Sequence, residues 1–361
     1  MTALPIALPK SLRARIGQMV MVGFAGLTAR DAQPTIRHIA DGAIGAVILY
    51  NVNLDGSPRN VQSPEQLRGL TAALKAASEI PVLVCIDAEG GFYHRLRPEF
   101  GFASSKSAGE MGERNDPAST MAAAGIIADE LVDVGIDVNL APVLDLMNPA
   151  NLELGALRRT FSSDPAAVAV HAREFILAHR ERGVLTTVKH FPGMGGVVRW
   201  DESGYREFID GWSDAELEPY RALIGEGLLT DAVMVSRMMT AELDPELPAC
   251  LSPRIVDGLL RQQMGFGGVV ISDAMENAAI WEAHGLERGT ILAVNAGVDM
   301  ILLCNINPVV AYSDERGPDV VEIIMDAVAR GEIAESRINE ACGRILALKS
   351  RHLAPPLPAQ P

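Results

Sequence analysis

The sequence predicts an α/β protein folded as a single (β/α)8 barrel, on three observations. Eight short apolar runs recur along the chain, segments with helix signals separate them, and the 361 residues suit one large barrel domain. Strict alternation of strand and helix patterns with eight strands is what a closed barrel requires.

Each run is rich in Val, Ile, Leu and Met and bounded by Gly, Pro or Asp, as a strand buried on both faces should be. In order they are GQMVMVGFAG from Gly17, GAIGAVILY from Gly42, PVLVCIDAEGG from Pro81, GIDVNLAPVLDL from Gly135, VLTTVKHFPG from Val184, DAVMVSRM from Asp231, GGVVISDAM from Gly267 and GVDMILLCN from Gly297. The helix segments between them include SPEQLRGLTAALKAAS, DPASTMAAAGIIADELVDVG, DPAAVAVHAREFILAHRERG, SDAELEPYRALIGEG and SPRIVDGLLRQQMG. Several open on Ser or Asp, whose oxygens accept from the orphan N–H groups of a first turn, and close on Gly, which takes the left-handed turn without penalty. Residues 318–351 read as two further helices completing the outer ring, so the barrel domain is expected over residues 1–352 and a Pro-rich tail over 353–361. An open doubly wound sheet is the competing arrangement, but no G-x-G-x-x-G follows the first strand, so no dinucleotide cofactor is expected.

Composition narrows the partners. Hydrophobic residues make up 48% of the chain, and 31 basic against 46 acidic residues leave a formal charge of −15. That sign opposes phosphate backbones and anionic lipid, which argues against nucleic acid. No stretch of about 18 uncharged apolar residues exists to span a membrane. The N-terminus lacks the basic, apolar and cleavage regions of a secretory signal, and Cys85, Cys250, Cys304 and Cys342 are too scattered for a C-x-x-C pair, so a cytoplasmic protein with reduced thiols is expected. His94, His190 and His284 have no ligand spacing, and no metal or other cofactor is expected.

In such barrels the chemistry sits at the C-terminal ends of the strands. Strand three ends in Asp87 and Glu89, four in Asp145, five in Lys189 and His190, six in Arg237, seven in Asp273 and eight in Asn305. A purely structural barrel has little use for so many polar strand ends. Each has a bland alternative: Asp273 would cap the next helix, Asp87 would hold the turn before Gly90 and Gly91, and the adjacent Lys189 and His190 would face opposite sides unless the backbone bends.

Five segments carry a resemblance: IDAEGGFYHRLRP, APVLDL, RRTFSSDP, KHFPG and MGFGGVVISDAM. They resemble, from about Ile16 to Leu346, the bacterial β-N-acetylglucosaminidases of glycoside hydrolase family 3. The resemblance implies that Asp273 is the nucleophile of a retaining exo-β-glycosidase acting on a small soluble glycoside or amino sugar. It implies that Asp87, Arg95, Arg159, Lys189 and His190 hold the sugar, with Arg237 joining them as a binding group at its strand end.

The family pattern continues K-H-F-P-G-H-G and reaches an Asp-Ser-His whose His is the general acid/base. Here Met194 stands for the second His, and Asp201-Glu202-Ser203 falls where Asp-Ser-His is expected. Met and Ser transfer no such proton, which leaves Glu202 or Asp201 as replacements against the alternative of a solvated acidic loop. Phe92 departs from the polar residue expected at its place, so the N-acetyl preference stays open. Phosphorolysis, cleavage restricted to acidic leaving groups, a non-catalytic sugar-binding homologue and a Schiff-base lyase using Lys189 are the competing readings. The oligomeric state is not legible in the sequence.

Overall fold

The structure is a computed structural model that describes residues 6–202, 204 and 207–352. All eight runs form strands: β1 (Val20–Gly23), β2 (Ala46–Leu49), β3 (Leu83–Ile86), β4 (Val138–Asn139), β5 (Leu185–Phe191), β6 (Ala232–Val235), β7 (Val269–Ser272) and β8 (Ile301–Leu303). They pair in the order β7-β6-β5-β4-β3-β2-β1-β8. A parallel bridge between Ile271 and Met300 joins the two ends of that order and brings the sheet round into a barrel. Every residue of these strands is buried, which explains runs of apolar residues without alternation.

A helix follows each strand, in order Gln33–Ala40, Pro64–Lys75, Pro117–Asp133, Pro165–Glu181, Glu218–Gly225, Arg254–Gln263, Ala278–Ala296 and Arg316–Ala329. Their boundaries follow local chemistry. Ser63 accepts from the Gln66 N–H at 3.1 Å and Asp164 from the Ala166 N–H at 3.0 Å. Asp116 and Ser213 stand at the expected starts, but their side chains make no capping bond. Gly135 and Gly183 adopt φ of 74° and 76° just past their helices, a region that costs a residue with a Cβ.

The last helix, Glu335–His352, departs from expectation. It crosses the bottom of the barrel instead of joining the ring. Lys349 donates to Gln18 at 2.7 Å and to the Gly45 carbonyl at 2.8 Å, beneath β1 and β2, and His352 meets Asp137, just before β4, at 2.7 Å. Residues 353–361, expected to be a tail, lie outside the described residues.

Two insertions build the top. After β3 the chain makes a short antiparallel ribbon from Ala88–Gly90 and Tyr93–His94. After β5 it makes a hairpin from Val197–Trp200 and Glu207–Asp210, paired from Val197↔Asp210 to Trp200↔Glu207.

Candidate active site

The strand ends converge at the mouth, and a bulge in β5 lets two neighbours serve it. Val188 pairs with Val233, but the next pairing is Phe191 with Val235, so Lys189 and His190 oppose a single residue of β6. The Lys189–His190 peptide is cis. Both side chains end on acids.

Lys189 Nζ lies 2.8 Å from Asp87 Oδ1 and 2.7 Å from Glu89 Oε1. Arg159 grips Glu89 with two parallel bonds of 2.8 and 2.7 Å, the fork geometry that suits guanidinium to carboxylate. Arg95 reaches Asp87 at 3.4 Å. The ring of Tyr93 lies against Arg159 at 3.9 Å and Arg95 at 4.7 Å from its centroid. Burial works to raise the Asp87 carboxyl, but Lys189 and Arg95 outweigh it and hold Asp87 well below the usual range. Burial works to depress Lys189, but Asp87 and Glu89 raise it. A lysine held charged in this way is no amine nucleophile, which disfavours Schiff-base chemistry. Phe92 points outward, 59% exposed, with Arg97 over its ring, so the departure at that position lies away from these charges.

His190 Nδ1 lies 2.7 Å from Asp145 Oδ2, and the fully buried Asp145 also accepts from the Met194 N–H at 2.8 Å. Met194, in place of the expected His, is buried with Val143, Leu154, Ile209 and Met238. That small apolar cluster pins the hairpin to the barrel top.

Asp273 is not a helix cap. The helix beyond β7 begins at Ala278, and its cap is Asn277, which accepts from the Ala279 N–H at 2.9 Å. Asp273 instead accepts from the Ala274 N–H at 2.7 Å, the Arg237 N–H at 3.2 Å and Arg237 Nη1 at 3.3 Å. Burial raises its pKa, but Arg237, His190 and the two N–H groups outweigh burial and leave it below the ordinary value. The carboxylate is therefore ionised at neutral pH, as a nucleophile must be.

Arg237, expected to hold substrate, is occupied by acids. Besides Asp273, its Nε donates to Glu207 at 2.8 Å and its Nη2 to both oxygens of Glu153 at 3.2 Å. Burial raises the pKa of Glu207; Arg237 opposes this, Glu153 and Asp273 add to it, and the net shift is upward. Asp201 and Glu202 lie at the turn of the hairpin, Asp201 half-buried and Glu202 exposed; Ser203 is outside the described residues. Glu207, Glu153 and Tyr93 escaped the sequence reading. The one signal for Glu207 was an acid set directly before the apolar pair Phe208-Ile209 in the segment that follows the altered loop.

A buried carboxylate at the end of β7, beside a network of paired acids and bases at the strand ends, is the arrangement of a barrel enzyme of the glycosidase class. Residues 11–348 match the family model described as glycosyl hydrolase family 3 N terminal domain, and the chain belongs to that family. It is 34% identical over 296 residues to a beta-hexosaminidase of Xanthomonas euvesicatoria, covering 80% of this chain and 84% of that one. A beta-hexosaminidase of Alkalilimnicola ehrlichii is 35% identical over 298 residues, covering 79% and 80%. Among solved structures, a glycoside hydrolase family 3 beta-N-acetylglucosaminidase from Paenibacillus sp. superposes with a TM-score of 0.84 at 33% identity; the match covers 95% of this chain and only 63% of that chain's length. A beta-N-acetylhexosaminidase from Beutenbergia cavernae gives a TM-score of 0.82 at 31% identity, with 95% and 99% covered. The fold, the family and the glycoside hydrolase class are thus those the sequence predicted.

Proposed function

We propose that the protein is a retaining exo-β-glycosidase of the β-N-acetylglucosaminidase type, acting on a small soluble glycoside through a covalent ester on Asp273. The observation that carries this reading is the environment of Asp273: a buried carboxylate at the end of β7, favoured in its ionised form and held by two N–H groups and Arg237 without serving as a cap. A carboxylate so placed attacks the anomeric carbon, and water later resolves the ester with net retention.

Asp87, Glu89, Arg95, Arg159 and Lys189 supply acceptors and donors for the hydroxyls of the terminal sugar, and Tyr93 supplies an apolar face. Their mutual ion pairs hold each side chain in place before substrate arrives. His190, fixed by Asp145, lies near enough to Asp273 to favour its charge. The acid/base comes from the hairpin after β5, which carries Asp201, Glu202 and Glu207. The N-acetyl preference rests on the names of the relatives. Among the described residues no helix is long and apolar enough to cross a membrane. The four cysteines are free thiols, in keeping with a cytoplasmic site of action.

Turnover of a panel of aryl β-N-acetylglucosaminides and β-glucosides, with Asp273→Asn as control, tests the reading. The wild type should hydrolyse at least one glycoside and the variant none; equal rates for both proteins overturn it.

A further inference from the structure

We propose that Glu207 is the general acid and general base of this enzyme, an assignment that rests on the glycosidase reading above. In the first step Asp273 bonds to the anomeric carbon, the bond from that carbon to the leaving oxygen breaks, and the Glu207 proton passes to that oxygen. In the second step Glu207 takes a proton from water, the water oxygen bonds to the anomeric carbon, and Asp273 leaves as a carboxylate. Glycoside and water are consumed, sugar and alcohol released, and Glu207 regains its proton.

Position comes first. The hairpin strand Glu207–Asp210 is clamped to the chain just after β6: the Met239 N–H donates to the Glu207 carbonyl at 2.7 Å, and the Ile209 N–H to the Met239 carbonyl at 3.0 Å. Beneath it Ile209 is buried with Met194 and Met238. The backbone of Glu207 is thereby fixed beside Arg237. Its side chain shares that guanidinium with Asp273, Nε at 2.8 Å and Nη1 at 3.3 Å. One guanidinium thus ties both carboxylates to the same point of the mouth.

Charge decides which acid holds the proton. Among the described residues three carboxylates, Asp273, Glu207 and Glu153, share Arg237, and such a cluster relieves its excess charge by keeping one proton. Asp273 has two N–H groups favouring its ionised form. The side chain of Glu153 is 38% exposed and solvated, against 13% for Glu207. Of the three, Glu207 is therefore the acid most favoured to hold the proton, the direction in which its pKa is shifted. Esterification of Asp273 removes one negative charge from the cluster, which lowers Glu207 and readies it as a base for the second step. Glu202 stands exposed at the turn of the hairpin.

The test compares full-length wild type, Glu207→Gln, Glu207→Ala and Glu202→Gln on a nitrophenyl glycoside, whose leaving group needs no acid, and on an alkyl glycoside, which does. Both Glu207 variants should lose about 10²–10⁴-fold on the alkyl glycoside and show a burst with accumulated glycosyl-Asp273 on the aryl one. Azide should restore aryl turnover of Glu207→Ala and yield the β-glycosyl azide, which also shows that the variant is folded. Wild-type rates in Glu207→Gln, an equal loss on both substrates without azide rescue, or the leaving-group-dependent loss appearing in Glu202→Gln instead, each overturn the assignment alone. A wild type with neither turnover nor label on Asp273 overturns the glycosidase reading and this assignment with it.

Discussion

The two ends of the barrel carry inverse charge clusters. At the bottom the fully buried Asp299, just before β8, is met among the described residues by Arg261, Arg337 and Arg344 and by the Val270 N–H. At the top Arg237, just after β6, is met by Asp273, Glu207 and Glu153. The surplus cations below have other acceptors: Arg261 also donates to the carbonyls of Phe266 and Gly268, and Arg337 to that of Val298. Apart from Arg261 Nε, which is buried with no hydrogen-bond partner among the described residues, the groups there are satisfied in one protonation state. The surplus anions above are not, and one of them is pushed toward holding a proton. A cluster whose surplus carbonyls absorb is a fastening; one that holds a like-charged surplus around a buried acid such as Glu207 favours a proton there.

Several substitutions would break or sharpen that contrast. The largest effect belongs to Asp273→Asn, expected to cost about 10⁴-fold or more in kcat with the urea midpoint at neutral pH unchanged or slightly lower, because the fold favours the ionised carboxylate. Next comes Asp299→Asn, which strands three arginines at a buried site and should cost about 3–5 kcal/mol in urea unfolding, with the KM of the folded protein unchanged. An unaltered midpoint would show that the bottom cluster is no fastening.

Lys189→Met should reduce kcat/KM by about 10–10²-fold, since it removes one charged donor and leaves Asp87 and Glu89 facing each other. The loss should appear mainly in KM if Lys189 binds the ground state, and in kcat if its contact tightens in the transition state.

The smallest effect is a slope. Glu216, buried behind the Asp145–His190 pair and accepting from the Leu146 N–H at 3.1 Å, is pushed up by burial and by Asp145 to about 8. Its folded pKa lies above the unfolded value near 4.5, so the stability it lends is full below that value and is lost as pH rises through 8. Urea midpoints measured from pH 5 to 8 should decline, and Glu216→Gln should flatten that decline; identical slopes would contradict the upward shift.

The barrel was legible because buried strands need unbroken apolar runs, and β1 to β8 each have one. The polar strand ends were legible for the same reason: Asp87, Lys189 and Asp273 interrupt apolar stretches where a core would not tolerate them. Glu207 was not, because its role depends on a hairpin whose partner, Met239, lies beyond the next strand, and on Arg237 being claimed by acids rather than by substrate. The loop that lacks the expected His hid this further, since Met194 reads as a loss when its side chain in fact pins the hairpin. The last helix read as part of the ring because its apolar stripe gives no direction. Lys349 and His352, reaching Gly45 and Asp137 across the chain, set its course under the barrel.

Trapping the glycosyl–enzyme tests the central claim most directly. Incubation of the whole protein with a 5-fluoro-N-acetylglucosaminyl fluoride, followed by proteolysis and mass spectrometry, should place a single sugar adduct on Asp273 in the segment VVISDAMEN. An adduct on another residue, or turnover of a glycoside with no adduct at any fluoride concentration, would contradict it.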